Sequence, residues 1–274
     1  MGMSVLEKQF ARMGVRVKQE PLPRGRRAFT RDRETLPFVS IDIRQDRLGE
    51  YFAIQADRLD EDDVTVVHAQ PEARHLLLMT RDHDGQKHKF LCGHDERHWF
   101  VAAVPESANA ASVPAAMQAL KPTAVRVEEL SKRVRPKDRN RRRNAAFRRQ
   151  GEWFFVPVTH LNVKPNLVLQ HEPLRRGAGK PHLVEFLYRS GGETVYVCRQ
   201  HPNGLTTPEY STLLSRNPGA TRWNWTVMRR NPEVYARGKV RHSDHKTIEL
   251  MDWHRVLLNT ESQAVAMRQV AFLD

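Results

Sequence analysis

The chain has 274 residues, 39% hydrophobic and 28% charged, which excludes a disordered polymer and suffices for one large domain or two modest ones. Two cysteines, Cys92 and Cys198, exclude a disulfide framework, and no apolar run approaches the roughly 20 residues of a bilayer span. A net charge of +13 directs attention to polyanions, and its distribution matters more than its size: roughly +5 over residues 1–35, −6 over 36–120, +9 over 121–150 and +5 over 151–274.

The opening MGMSVLEKQFARMGVRV lacks an apolar h-region, which predicts no secretory signal and a cytoplasmic protein. Its periodicity predicts a short amphipathic helix over about Ser4–Met13, followed by a basic arm to residue 35 that contains Arg24, Arg26 and Arg27. Residues 36–120 form an acidic lobe. Between Phe38 and Val104 the runs FVSIDI, YFAIQA, VTVVHA, HLLLMT, HKFLC and HWFVAAV are separated by turn residues and predict a mainly antiparallel sheet. Ser112 before Val113-Pro114 predicts an N-capped helix to residue 120.

Residues 121–150 hold most of the charge imbalance. Thr123 is the predicted cap of a helix through Val134, and Pro136 opens another through Gln150 that ends at Gly151. Residues 132–149 read KRVRPKDRNRRRNAAFRR. On a helix Arg139, Arg141, Arg142, Arg143, Arg148 and Arg149 spread nearly all round, leaving Ala145, Ala146 and Phe147 as the apolar face. Such a helix suffers like-charge repulsion unless anions surround it. Phosphates of RNA or DNA supply them, and the planar arginine fork suits phosphate. The other anions on offer are an acidic partner chain and the acidic 36–120 lobe of the same molecule.

Residues 151–274 return to strands. EWFFVPVTHL, HLVEFLYR and TVYVCRQ precede a short helix from Thr207 to Arg216, and HLVEFLYR and TVYVCRQ read as a hairpin across Ser190-Gly191-Gly192. A second short helix is predicted over 220–230, and VYARGKVRH, KTIEL and WHRVLLN close the chain as a meander. Arg175, Arg176 and Lys180 belong to a flexible basic loop. It is not a phosphate-binding P-loop, because Leu174 and Pro181 stand where that motif needs Gly and Ser or Thr. Arg229 and Arg230 follow Trp223 and Trp225, an interleaving that base stacking uses, as does Phe147 between arginines. The fold class expected is therefore α+β: two β-rich, mainly antiparallel lobes joined by a basic helical connector.

Two histidine groupings carry candidate chemistry. His88, Cys92, His94 and His98 have donor types that suit zinc, and a hairpin places His88 and Cys92 on one strand face with His94 and His98 near the turn. His242 and His245, with His254 further on, offer a general acid and a general base, with Arg241 and Lys246 as phosphate clamps. The leading expectation is a nucleic-acid-binding protein that uses the arginine-rich helix and the N-terminal arm. The alternatives are a nuclease or phosphodiesterase that uses one histidine group, and an assembly protein that binds an acidic partner.

Overall fold

The computed structural model describes residues 3–21, 39–56, 63–82, 84–176 and 179–264. Arg24, Arg26 and Arg27 lie outside them. Among the described residues, no helix is long and apolar enough to cross a membrane. The fold is mixed α+β with mostly antiparallel sheets.

Helix α1 (Met3–Arg12) turns at Gly14 into β1 (Arg16–Glu20), which runs parallel to β3 (Gly49–Gln55). β2 (Ser40–Asp46) pairs antiparallel on the other side of β3. β4 (Val64–Gln70), β5 (His75–Arg81), β6 (Lys87–Asp95) and β7 (His98–Val104) form a four-stranded meander. Period-two alternation on β5 and β6 serves two cores. Leu76, Leu78, Phe90 and Cys92 pack with Phe10, Ile41 and Phe52. The alternate residues Leu77 and Leu91 meet Val113, Ala116 and Leu120 on the opposite face. Those three come from α2 (Val113–Ala119) and its end, and Ser112 caps α2 as expected, its hydroxyl accepting from the Ala115 amide at 3.3 Å.

Helix α3 (Thr123–Ser131) has Thr123 as its first residue and Pro122, not Thr123, at the cap, and it ends before Val134 where Arg133 takes a positive φ; α4 then covers only Pro136–Arg139. The arginine-rich helix expected through Gln150 does not form, and Arg148–Gln150 is strand β8. Asn144 supplies the reason. Its side-chain oxygen accepts from the amides of Ala146 (2.8 Å) and Phe147 (3.2 Å), and its own amide donates to the Phe147 carbonyl. This local turn competes with helical pairing, and Phe147 is thereby buried against Phe154.

β8 edges a six-stranded sheet in the order β10-β11-β15-β16-β9-β8, built with β9 (Trp153–Pro157), β10 (Leu169–Leu174), β11 (His182–Ser190), β15 (Glu233–Arg241) and β16 (Ile248–Leu258). KTIEL and WHRVLLN join in the single strand β16. The hairpin expected between β11 and β12 (Glu193–Cys198) is absent: β12 pairs instead with β13 (His201–Thr206) and β14 (Thr226–Arg230) in a separate sheet. Gly191 and Gly192, both at positive φ, redirect the chain between the sheets, and a Cβ on Gly192 would lie 2.8 Å from the Arg230 carbonyl oxygen. The helix expected over 220–230 is a short 3-10 turn (Pro218–Arg222) followed by β14, whose backbone pairs with β12. Helix α5 (Thr207–Arg216) does form, with Thr206 and Glu209 as a reciprocal capping box.

Candidate functional site: a histidine cluster in a charged cavity

The antiparallel register of β11 and β15 pairs Leu183 with Arg241, so His182 and His242 emerge next to each other at the end of that ladder. The turn from β15 to β16 then returns His245 over both. The three imidazoles stack with ring centroids 4.2 Å (His182–His242), 4.8 Å (His242–His245) and 5.6 Å (His182–His245) apart, tilted by 21–28°. Among the described residues, no other three histidine, cysteine or acidic side chains bring their donor atoms together in this way; here the atoms lie within 4.8 Å of one another.

The surroundings fix this turn. Gln150 donates to the carbonyls of Lys246 (2.7 Å) and Val240 (3.2 Å). Glu96 accepts from the Lys246 amide and from Arg142, and its carboxylate lies 3.8 Å from Nδ1 of His245. The Asp244 amide donates to Nδ1 of His242 at 3.1 Å, and the Asp244 carboxylate pairs with Lys180 at 2.8 Å. His182 is 2% exposed, and neither of its ring nitrogens has a hydrogen-bond partner. Burial, reinforced by His242 and His245, pushes its imidazole down to about 3. Burial with His242 and Arg142 nearby pushes His245 down to about 4. Both rings are therefore neutral at pH 7.

The cluster lines a cavity of about 420 Å³ that also reaches the acidic 36–120 segment and the α2–α4 region. Its walls carry Arg44, Lys121, Arg141, Arg149, Arg176 and Lys180, but also Glu50, Asp95, Glu152, Asp244 and Glu261. Cation and carboxylate nearly balance there, and several are paired: Arg149 with Asp95 at 3.6 Å and Arg176 with Glu261 at 2.7 Å.

The sequence-predicted residues separate into those that converge and those that do not. His242 and His245 converge. His254 is buried on β16 opposite Ala236 and Pro157, its Nδ1 2.7 Å from the Asp252 carbonyl, and so takes no place in the cluster. The expected zinc group is not assembled. Cys92 points into the apolar core, where burial pushes its thiol up. His88 is held between Asp82 (3.2 Å) and Glu106 (3.1 Å), His94 packs edge-on to Trp99, and Nδ1 of His98 lies 2.8 Å from Glu50. The hairpin pairs Asp95 with His98, which carries the four side chains to different partners.

The arginines divide likewise. Arg142 pairs with Asp95 and Glu96, Arg148 donates to the Glu249 carbonyl, and Arg139 donates to the Val134 carbonyl at 3.2 Å. Arg229 donates to the Gly192 carbonyl and Arg230 pairs with Glu193. Arg141 pairs with Asp138 at 3.2 Å while 69% exposed, and Arg143 and Arg175 are exposed. Phe147, buried at 1%, presents no stacking face to a ligand, whereas Trp223 and Trp225 are half-buried and stack with His201. The sequence reading missed His182, Gly151 and Glu96. Only Lys180-Pro181-His182, at the mouth of a predicted strand, drew near to the first. No family model, curated protein or solved structure matches the chain.

Proposed function

We propose that the chain binds nucleic acid by its phosphate backbone through residues 132–143, the connector between β-rich lobes at 36–120 and 151–274. One observation carries the reading. Lys132, Arg133, Arg135, Lys137, Arg141 and Arg143 are all exposed on this short segment, even though it is not the helix that would have spread them radially. Arg142 and Arg149 instead turn inward to Asp95 and Glu96 and fasten the segment to the acidic part of the same chain. The half-buried Trp223–Trp225–His201 stack offers a second contact, for bases. The histidine cavity adjoins through Arg141, which favours a second reading in which a bound phosphodiester is cleaved there.

About six phosphate contacts give a log–log salt slope near −5 on duplex and near −4 on single strands. Fluorescence anisotropy with labelled RNA and DNA across a salt series measures it. The triple variant Arg135→Ala, Arg141→Ala, Arg143→Ala flattens the slope by about two units or more. Arg142→Ala, which removes an internal ion pair, leaves the slope unchanged. A folded triple variant with the wild-type slope rules the segment out of the interface. Intact oligonucleotides after incubation with the protein, in chelator and again in Zn²⁺, rule out the cleavage reading.

A further inference from the structure

We infer that His182, His242 and His245 form a binding site for a single transition-metal ion of the zinc class. Three observations support it, and none depends on what the cavity takes as substrate. The first is the convergence of three imidazole donors from two separate chain segments, all within 4.8 Å of one another. Tetrahedral bonds of about 2.0–2.1 Å place donor nitrogens about 3.4 Å apart, so small ring rotations close the cluster around an ion. Nitrogen donors of this kind suit zinc, cobalt, nickel and copper better than calcium or magnesium.

The second observation is His182 itself. A side chain 2% exposed with neither ring nitrogen bonded is anomalous, because buried polar atoms as a rule have partners. A metal bond supplies one. The third is Gly151, at φ +56°. A Cβ there would lie 2.9 Å from Nε2 of His245 and 3.4 Å from Nε2 of His182. Both nitrogens lie beside the same point, and glycine keeps it open. Glu96, on the Nδ1 side of His245, is placed to orient that ring with Nε2 toward the ion. His242 joins through Nδ1 once that atom releases the Asp244 amide it now accepts, or through Nε2 after its proton moves to Nδ1, which likewise ends that bond. Three imidazole ligands leave one coordination position for water or a substrate oxygen, the arrangement of zinc centres that act as Lewis acids.

The test uses the full chain, stripped with chelator and free of nucleic acid, so that its outcome is separate from that of phosphate-backbone binding. Titration with Zn²⁺ against a competing chelator, and with Co²⁺ followed by visible absorption, yields one ion per chain. His242→Gln and His245→Gln, on the more accessible side, weaken binding by more than the roughly 10–100-fold typical of losing an outer-shell partner. Gly151→Ala weakens it as well, by filling the point on which the two nitrogens converge. Cys92→Ser retains the ion. Circular dichroism verifies that each variant is folded. Wild type that binds no stoichiometric metal overturns the inference, as do folded His242→Gln and His245→Gln variants with wild-type affinity.

Discussion

Glu129→Leu destabilises the chain by about 3–5 kcal/mol, whereas the double variant Lys121→Met, Glu129→Leu recovers most of that loss. The Lys121 ammonium and the Glu129 carboxylate meet at 2.6 Å with side chains only 4% and 2% exposed. Lys121 also donates to the Arg139 carbonyl at 2.6 Å and sits over the Phe147 ring. Burial pulls the lysine below its ordinary value although Glu129 acts in the opposite direction. A buried pair gains little over an apolar pair of similar volume, because each charge has surrendered its hydration. Removing one partner alone strands the other in a medium that solvates it poorly. The double variant loses the lysine's bond to Arg139 but buries no orphan charge. Urea midpoints of the wild type and the two variants test this, and a single-variant cost below about 1 kcal/mol refutes it. The pair anchors the end of α4, within the segment that carries the exposed cations of residues 132–143.

The strands of residues 40–104 were legible in the sequence because their apolar, β-branched and aromatic runs are punctuated by turn residues, and strands buried on both faces, such as Gly49–Gln55 and His75–Arg81, read as nearly continuous apolar runs. The cap at Ser112 and the helix start at Thr207 were legible from local residue types, Pro at the first turn among them. Residues 136–150 were misread because a helix was inferred from its proline start and glycine stop, while the side chain of Asn144 offers the backbone a competing set of bonds. The all-round distribution of arginine, a poor design for an isolated helix, is instead the mark of a segment with some cations turned to Asp95 and Glu96 and others to solvent. His242 and His245 were legible as neighbours in sequence. His182 was not, since only the β11–β15 register brings it across some sixty residues of chain, and register is a property of the assembled sheet. His254 failed for the complementary reason: being near in sequence to the cluster, it is carried away by β16 to the other side of the pairing.

In chelator, the chain loses stability as pH falls from about 6.5 toward 5, before its carboxylates titrate. His75, His182, His245 and His254 are all shifted below the ordinary 6.5, first of all by burial. Each is therefore neutral in the native state over a range where the unfolded chain already takes up a proton. Proton uptake then favours unfolding. The penalty is absent above about 6.5, grows as pH drops, and stops growing only below the folded value, near 4 for His245 and near 3 for His182. Each such imidazole contributes a slope that approaches about 1.4 kcal/mol per pH unit. Asp82 and Asp244, held below the usual carboxylate value by His88 and Lys180 respectively despite partial burial, also cost stability in acid, but only at pH values near and below 3.8. The interval between pH 6.5 and 5 thus reports the histidines. Urea midpoints at half-unit steps across it, for wild type and His182→Leu, separate the most deeply buried ring from the rest. The variant's stability falls less steeply with acid, by about 1.4 kcal/mol per pH unit near pH 5. A wild-type midpoint that stays flat from pH 7 to 5, or a variant with an unchanged slope, shows that His182 takes up its proton without unfolding and is far better solvated than its burial implies.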